Sequence, residues 1–205
     1  LTTISILIYL ILFQTHLFSN IIVNSLNKYI LFPTGISMSG DVQGGLLRKS
    51  LGLHQLLIKV DLTGNSLLTA DEISLLGWDW DWSTKELTLQ NLFIDGYSIQ
   101  AENTPSITKM AGDQKSSVST IIQNVKAEHG RVSYGSGDST ETIVLPSLHS
   151  TLWYIDGFVD TKIHSALAIA PSITKDTLTV KGLVGIDADG DIKVRDLDLN
   201  TPKQN

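Results

Sequence analysis

From Ile36 onward the chain alternates apolar and polar residues over short stretches, and this alternation limits the fold more than any other feature. Leu56 and Ile58 fall on one side of an extended strand, and Lys59 falls on the other. Turn-forming pairs such as Asp95-Gly96 follow at short intervals. Helical periodicity is absent from this part of the sequence over any useful length. The sequence therefore predicts a mainly β fold for residues 36–205.

Alternation and turn signals together place eleven strands. They are predicted at 36–42, 52–62, 66–76, 85–94, 97–102, 117–127, 130–135, 141–154, 157–169, 175–187 and 191–199. The stretch 103–116, with Pro105 and Gly112, predicts a longer loop. Because crossover helices are absent, we expect an antiparallel-rich sheet, and the length of the strands favours an elongated, curved one.

An eight-residue signature recurs in these strands, with apolar residues at the first, third, sixth and eighth positions. Full copies occupy 51–58, 87–94 and 192–199, and partial copies occupy 122–127 and 143–148. Alternation that slips by one residue in mid-strand is typical of a β-bulge or a bend. Coincidence is the alternative, since a chain with 42% hydrophobic residues produces some such matches by chance.

The segment that precedes the strands is apolar and carries no charge. Residues 1–27 contain no Asp, Glu, Lys or Arg, and Lys28 is the first charged residue. A stretch of this length predicts a transmembrane anchor that continues as an amphipathic helix over 1–31. A cleavable signal peptide is the alternative, although no basic start and no small-residue cleavage site are present. The predicted anchor residues are Ile4, Leu7, Ile8, Leu10, Ile11, Leu12, Phe13, Leu17, Phe18, Ile21 and Ile22.

Composition narrows the classes of function. The net charge of -6 and the lack of a Lys/Arg cluster argue against nucleic acid as a partner. The chain has no cysteine, and its five histidines do not pair at metal-ligand spacing. Neither a nucleophile elbow nor a phosphate-binding loop occurs. We therefore expect no enzyme activity, no metal and no cofactor; a tethered hydrolase has almost no support.

Several segments match a family pattern in order. They are 26–29 at the end of the helix, then 36–40, 44–46, 51–58, 68–75 with Trp78 close behind, 87–96, and a strand over 194–202 that ends in Thr201-Pro202. In these segments the chain resembles the amino-terminal region of the TamB and AsmA-like family. The resemblance rests on apolar patterns rather than on catalytic residues. The cluster Trp78-Asp-Trp-Asp-Trp82 is denser in tryptophan than the pattern needs, and an aromatic patch or rim is its only explanation.

The resemblance implies a single-pass protein of the bacterial inner membrane with its bulk in the periplasm. The sheet would fold lengthwise into a groove that serves lipid transport between membranes, or outer-membrane protein assembly and secretion. Membrane lipids are the implied partners, and an outer-membrane barrel would bind through a carboxy-terminal region beyond residue 205, because we expect the chain to be a fragment. Residues expected to line the groove are Leu56, Ile58, Val60, Leu89 and Ile94.

The energetics of lipid transfer favour a groove without special chemistry. Exposing an acyl chain of sixteen carbons to water costs about 13 kcal/mol at about 0.8 kcal/mol per methylene. A trough of Leu, Ile and Val removes most of that cost. The same residues are also compatible with a closed core, and the alternative function is then a structural or adhesive β-domain on a membrane stalk.

Overall fold

Strands make up most of the described chain. The computed structural model describes residues 23–24, 36–45, 49–60, 64–101, 119–135, 140–155, 158–171, 176–186 and 192–201. The strands are β1 (Ile36–Gly45), β2 (Ser50–Val60), β3 (Ser66–Asp81), β4 (Glu86–Asp95), β5 (Ser98–Gln100), β6 (Ser119–Tyr134), β7 (Glu141–Ile155), β8 (Phe158–Ile169), β9 (Thr177–Ile186) and β10 (Ile192–Asn200). All ten belong to one sheet. The prediction of a mainly β fold is confirmed.

The sheet follows chain order almost without exception. Its path is β1-β2-β3-β4-β6-β7-β8-β9-β10, and β5 pairs with β3 and β6. All pairings are antiparallel except those of β6 with β4 and β5, so the sheet is mixed. Strand β5 continues the line of β4, because Asp95 faces Glu128 and Ser98 faces Arg131 in one unbroken register. The sheet is therefore nine strands wide.

Strand β6 corrects one prediction. The sequence predicts two strands, 117–127 and 130–135, but the structure has one strand across Ser119–Tyr134. His129 adopts a left-handed φ of 52° in its middle. Backbone hydrogen bonds between strands continue on both sides of His129, because Gly96 N–H donates to the Glu128 carbonyl (3.2 Å) and Arg131 N–H donates to the Tyr97 carbonyl (2.9 Å). Pairing with β4 and β5 thus carries β6 through a turn-like sequence.

Bulges lie inside four of the five copies of the eight-residue signature. Register shifts occur in β6 between residues 122 and 125, in β7 between 144 and 147, and in β10 between 195 and 198. A fourth shift lies in β2, opposite residues 39 to 41 of β1. Gln55 and Asp196 take left-handed φ values of 52° and 51° at two of them. The copy at 87–94 has no register shift, and Gly77 of the neighbouring strand supplies a left-handed φ of 75° there. The predicted slips in alternation are confirmed at these four positions.

The predicted anchor lies outside the described residues. Every anchor residue falls within 1–22, and the predicted loop 103–116 falls in the stretch between β5 and β6 that is likewise outside. Within the described ranges, a helix with the length and hydropathy needed to cross a membrane is not found.

Candidate functional site

One apolar residue from each of nine strands joins a single row of facing positions. In strand order, this apolar row is Val42, Leu53, Ile73, Ile94, Ala127, Leu148, Ala166, Val180 and Leu199. Each member is the direct cross-strand partner of the next, and none is polar. At about 4.8 Å between strands, the row extends roughly 38 Å across the sheet. It is a continuous hydrocarbon surface wide enough for an extended acyl chain.

The positions next to this row form a second row on the opposite face. This polar row consists of Asp41, His54, Glu72, Asp95, Glu128, Ser147, Leu167, Thr179 and Asn200. Leu167 is its one apolar member. Because adjacent residues of a strand point to opposite faces, the sheet has an apolar face and a polar face over its full width.

The most buried part of the apolar face surrounds Tyr97. Leu56, Ala70, Tyr97 and Ala127 form a cluster of buried side chains, and members of the apolar row pack against it. The ring of Tyr97 lies directly over Gly130, where an added Cβ would fall 2.0 Å from Cζ. Burial raises the pKa of the Tyr97 phenol. Among the described residues the hydroxyl has no hydrogen-bond partner, so it is a polar atom set into an apolar surface.

The five predicted groove residues occupy three parts of the sheet. Leu56 belongs to the buried cluster, and Ile58 and Ile94 pack against that cluster. Val60 is half-buried at the end of β2 and pairs with Ile36. Leu89 lies farther along β4, in the row that contains Trp78, Ile122 and Leu152. The structure thus brings three of the five together and places the other two at separate positions.

Little of the described chain is available to cover the apolar face. Every described strand belongs to this one sheet, and the main contacts join strands that are neighbours within it. Most Leu and Ile side chains of the face are only half-buried. Within the described ranges, the larger side chains of the face are therefore partly accessible to solvent, whereas Val42, Leu56, Ala127 and Ala166 are buried.

The tryptophan cluster lies at the tip of the β3–β4 hairpin. Trp78 is half-buried, whereas Trp80 is 36% and Trp82 86% exposed, and the latter two rings meet edge to face with centroids 5.7 Å apart. They line an open depression of about 630 Å³ together with acidic and hydroxyl side chains. Ile155 and Phe158, at the tip of the β7–β8 hairpin, are also about half exposed. The predicted aromatic rim is thus exposed at one end of the sheet.

Polar contacts hold this end and the polar face in place. Asp79 accepts hydrogen bonds from Lys49 and Gln90, and the Lys49 ammonium lowers the pKa of Asp79. Asp81 Oδ1 accepts from the backbone N–H (2.7 Å) and the hydroxyl (2.6 Å) of Ser83, and these bonds lower the pKa of Asp81. Both contacts stabilise the hairpin that carries the tryptophans.

On the polar face, His129 interacts with a row of carboxylates. Glu72, Asp95 and Glu128 stand side by side on neighbouring strands, an arrangement that like charges disfavour. His129 Nδ1 lies 2.7 Å from Asp95 Oδ1, and this hydrogen bond, with the charge of Asp95, raises the pKa of His129. The protonated imidazole offsets part of the repulsion between the carboxylates.

The described residues contain no group of three or more His, Asp and Glu side chains arranged to hold a metal ion. His149 and His164 approach with ring centroids 5.0 Å apart, and His164 Nε2 lies 2.8 Å from the Thr151 hydroxyl. Both rings are exposed, and no carboxylate joins them in the described contacts. The arrangement is that of a surface contact between strands.

Sequence reasoning missed several members of the apolar row. Ala127 was recognised only as the last apolar position of the partial signature copy 122–127. Ala166 and Val180 were not predicted to line the groove, because a small or β-branched residue in an alternating strand has the same pattern on either face. Tyr97 was also missed. Its signal was available: it follows the Asp95-Gly96 turn and begins the strand that runs on from β4.

No protein-family model matches the chain, and no curated protein sequence matches it. Its resemblance to the TamB and AsmA-like family therefore stays a prediction from its residues.

Proposed function

We propose that this chain is a non-enzymatic conduit that holds lipid acyl chains on the apolar face of its sheet. The unbroken apolar row from Val42 to Leu199 carries the proposal. A hydrocarbon tail needs contact along its whole length, and each polar interruption of the path would leave a barrier. The row has no such interruption across nine strands.

The energetics match this task. A tail of sixteen carbons gains about 13 kcal/mol when it leaves water completely, at about 0.8 kcal/mol per methylene. A face that is open on one side recovers part of that amount, so the tail is held while remaining able to slide. Ala127 and Ala166 alternate with larger residues in the row. Such a surface binds through area and needs no specific polar group.

The location and partners follow from the family resemblance. We propose an inner-membrane anchor in residues 1–31, a periplasmic sheet that curves lengthwise into a groove, and transport of lipid between membranes or assistance to outer-membrane protein assembly. A barrel partner would bind through a region beyond residue 205. The apolar lead-in and the two-faced sheet support these proposals.

Site-specific photo-cross-linking tests the lipid-binding proposal. A benzophenone side chain replaces Ile58 or Ile94 on the apolar face, and matched variants carry it at the adjacent Lys59 or Phe93 on the other face. The full chain is expressed in a bacterial envelope, irradiated and analysed by mass spectrometry. We expect phospholipid adducts at Ile58 and Ile94, and few or none at Lys59 and Phe93.

Equal labelling of both faces, or labelling only at Lys59 and Phe93, would contradict the proposal. Absence of lipid adducts at every position, together with no lipid in the purified protein, would favour the alternative of a structural or adhesive domain with a closed core. Intact folding of each variant is checked by tryptophan fluorescence, because the hairpin tryptophans lie away from the substituted positions.

A further inference from the structure

The open depression at the tip of the β3–β4 hairpin has an aromatic corner that belongs to neither the apolar row nor the polar row. Trp80 and Trp82 meet there at an interplanar angle of 77°, and Trp82 is 86% exposed. The face of an indole ring carries the negative part of the aromatic quadrupole. Two exposed rings at nearly a right angle therefore attract a cation as well as an apolar group.

Carboxylates line the same depression. Asp81 of β3 faces Glu86 of β4 across the hairpin, and like charges in facing positions repel each other. Asp79 lies two residues before Asp81, on the same face of the strand. Hydrogen bonds from Ser83 lower the pKa of Asp81, so this carboxylate stays ionised at neutral pH. The aromatic corner is therefore set in a negative environment.

Only part of this negative charge is neutralised within the described chain. Lys49 pairs with Asp79. Asp81 and Glu86 accept hydrogen bonds from hydroxyl and backbone groups, but no basic side chain of the described residues pairs with either of them. Lys85 belongs to the same turn and does not line the depression. A cation supplied by a ligand would offset the repulsion between Asp81 and Glu86.

An organic ammonium group fits this depression better than a metal ion. A divalent metal ion needs several converging oxygen ligands, and the described residues contain no group of His, Asp and Glu side chains arranged in that way. An ammonium with carbon substituents presents apolar surface and positive charge together, which matches indole rings beside carboxylates. The depression is open and measures about 630 Å³, so it can admit an ammonium that is one end of a larger molecule.

We propose that the Trp80–Trp82 depression binds an organic ammonium group, carried either by a small amine or by a lipid head group of the choline or ethanolamine type. The indole rings contact the ammonium, and Asp81 and Glu86 supply the opposite charge. Charge complementarity and the exposed aromatic corner carry the inference. It does not depend on lipid binding by the apolar face.

Two ligands of equal shape test the requirement for charge. Choline and 3,3-dimethylbutan-1-ol differ in the central atom of the head, which is a charged nitrogen in choline and a neutral carbon in the alcohol. Saturation-transfer NMR of the methyl protons measures binding to the full chain in a non-ionic detergent. We expect millimolar affinity for choline and binding of the alcohol that is weaker by roughly tenfold. Added salt should weaken the binding of choline, because exposed charges are screened.

Substitutions at the depression locate the site. Trp82→Leu keeps an apolar side chain but removes the aromatic face, and Glu86→Gln removes one charge with little change in shape. We expect each to weaken choline binding by roughly fivefold. Trp82 is largely exposed, so its replacement leaves the fold intact. Phe158→Leu at the β7–β8 tip and Glu128→Gln on the polar face are matched controls that leave binding unchanged.

Short-chain lipids distinguish the two sources of the ammonium group. Dihexanoyl phosphatidylcholine, phosphatidylethanolamine and phosphatidylglycerol are each tested for displacement of choline from the unsubstituted chain. Stronger displacement by the first two than by equal concentrations of free choline or ethanolamine, with none by phosphatidylglycerol, assigns the site to a lipid head group. Equal displacement by the lipids and the free amines assigns it to a small amine, and both results support an ammonium site.

The proposal is overturned if the neutral alcohol binds as well as choline, because the depression would then be an unselective apolar surface. It is also overturned if choline does not bind, or if Trp82→Leu and Glu86→Gln bind choline like the unsubstituted chain. Lipid adducts at Ile58 and Ile94 report on the apolar face alone, so failure of that experiment and failure of this one are distinguishable.

Discussion

The apolar row and the polar row differ sharply in polarity although they are built from adjacent residues of the same strands. The row through Ile94 is apolar in all nine strands, while the row through Asp95 is polar in eight of nine. Strand alternation alone would not keep such rows aligned over long strands that slip in mid-course. Each register shift places one extra residue in one strand of a pair, so the apolar side chains on both sides of the slip stay level with those of the neighbouring strand. The bulges therefore keep apolar and polar side chains on opposite faces of the sheet.

A charge on the apolar face should have the largest effect. Ala166 is buried between Leu148 and Val180, so Ala166→Asp places a carboxylate among apolar side chains. We expect a loss of roughly 3–5 kcal/mol in the free energy of unfolding. Ser165→Asp, one residue away on the polar face, should stay within about 0.5 kcal/mol. Urea unfolding followed by tryptophan fluorescence measures both, and similar losses would remove the distinction between the faces.

Glycine-to-alanine substitutions, one on each face, give a second comparison between the apolar and polar faces. In Gly130→Ala the new Cβ meets the ring of Tyr97 on the apolar face, and we expect a loss of roughly 1–3 kcal/mol. In Gly52→Ala, on the polar face, the nearest atoms are at ordinary contact distance (3.5 Å or more), so stability should be unchanged or slightly increased. The same urea unfolding experiment measures both variants. Unchanged stability in Gly130→Ala would show that the ring of Tyr97 is free to move away from the new methyl group.

A glycine at the bulge in β2 should have a smaller effect, and it should stabilise the protein rather than destabilise it. Gln55 has a left-handed φ of 52°, which disfavours a side chain, so Gln55→Gly should raise stability by about 0.5–1 kcal/mol. Lys59→Gly, at a position of the same strand where the backbone is not left-handed, should lower it by about 0.5–1 kcal/mol. Equal losses in the two variants would mean that the slip in β2 does not depend on a left-handed residue.

The smallest effect is the pH dependence of the polar face. The contact with Asp95 raises the pKa of His129 above its usual value near 6.5. The stabilisation is therefore fully present below about pH 6.5 and is lost as the pH rises through the raised pKa of the folded state. An NMR titration of the His129 ring should show the raised pKa, and Asp95→Asn should return it towards the usual value. Asp160→Asn, on β8, should leave it unchanged.

Much of the fold is predictable from the sequence because the strands alternate and their turns are marked by glycine. The bounds of β4, β7 and β8 are predicted to within a few residues, and the slips at 122–127 and 192–199 coincide with bulges. The division of β6 is wrong, because pairing with β4 and β5 overrides the turn-like sequence at His129. The candidate site is only partly predictable from the sequence. Leu56 and Ile58 are strongly apolar and indicate a buried face, whereas an alanine such as Ala127 occurs equally well on either face of a strand.

The sequence by itself determined where strands run, where they slip and which residues of each strand share a face, because these properties depend on near neighbours along the chain. Only the tertiary structure decided that Ile94 lies beside Ala127 in a parallel pair and that Tyr97 covers Gly130. Those contacts join residues about thirty positions apart, and they depend on the hydrogen-bond register between strands. A shift of that register by one residue would have exchanged the faces of a whole strand and broken the apolar row.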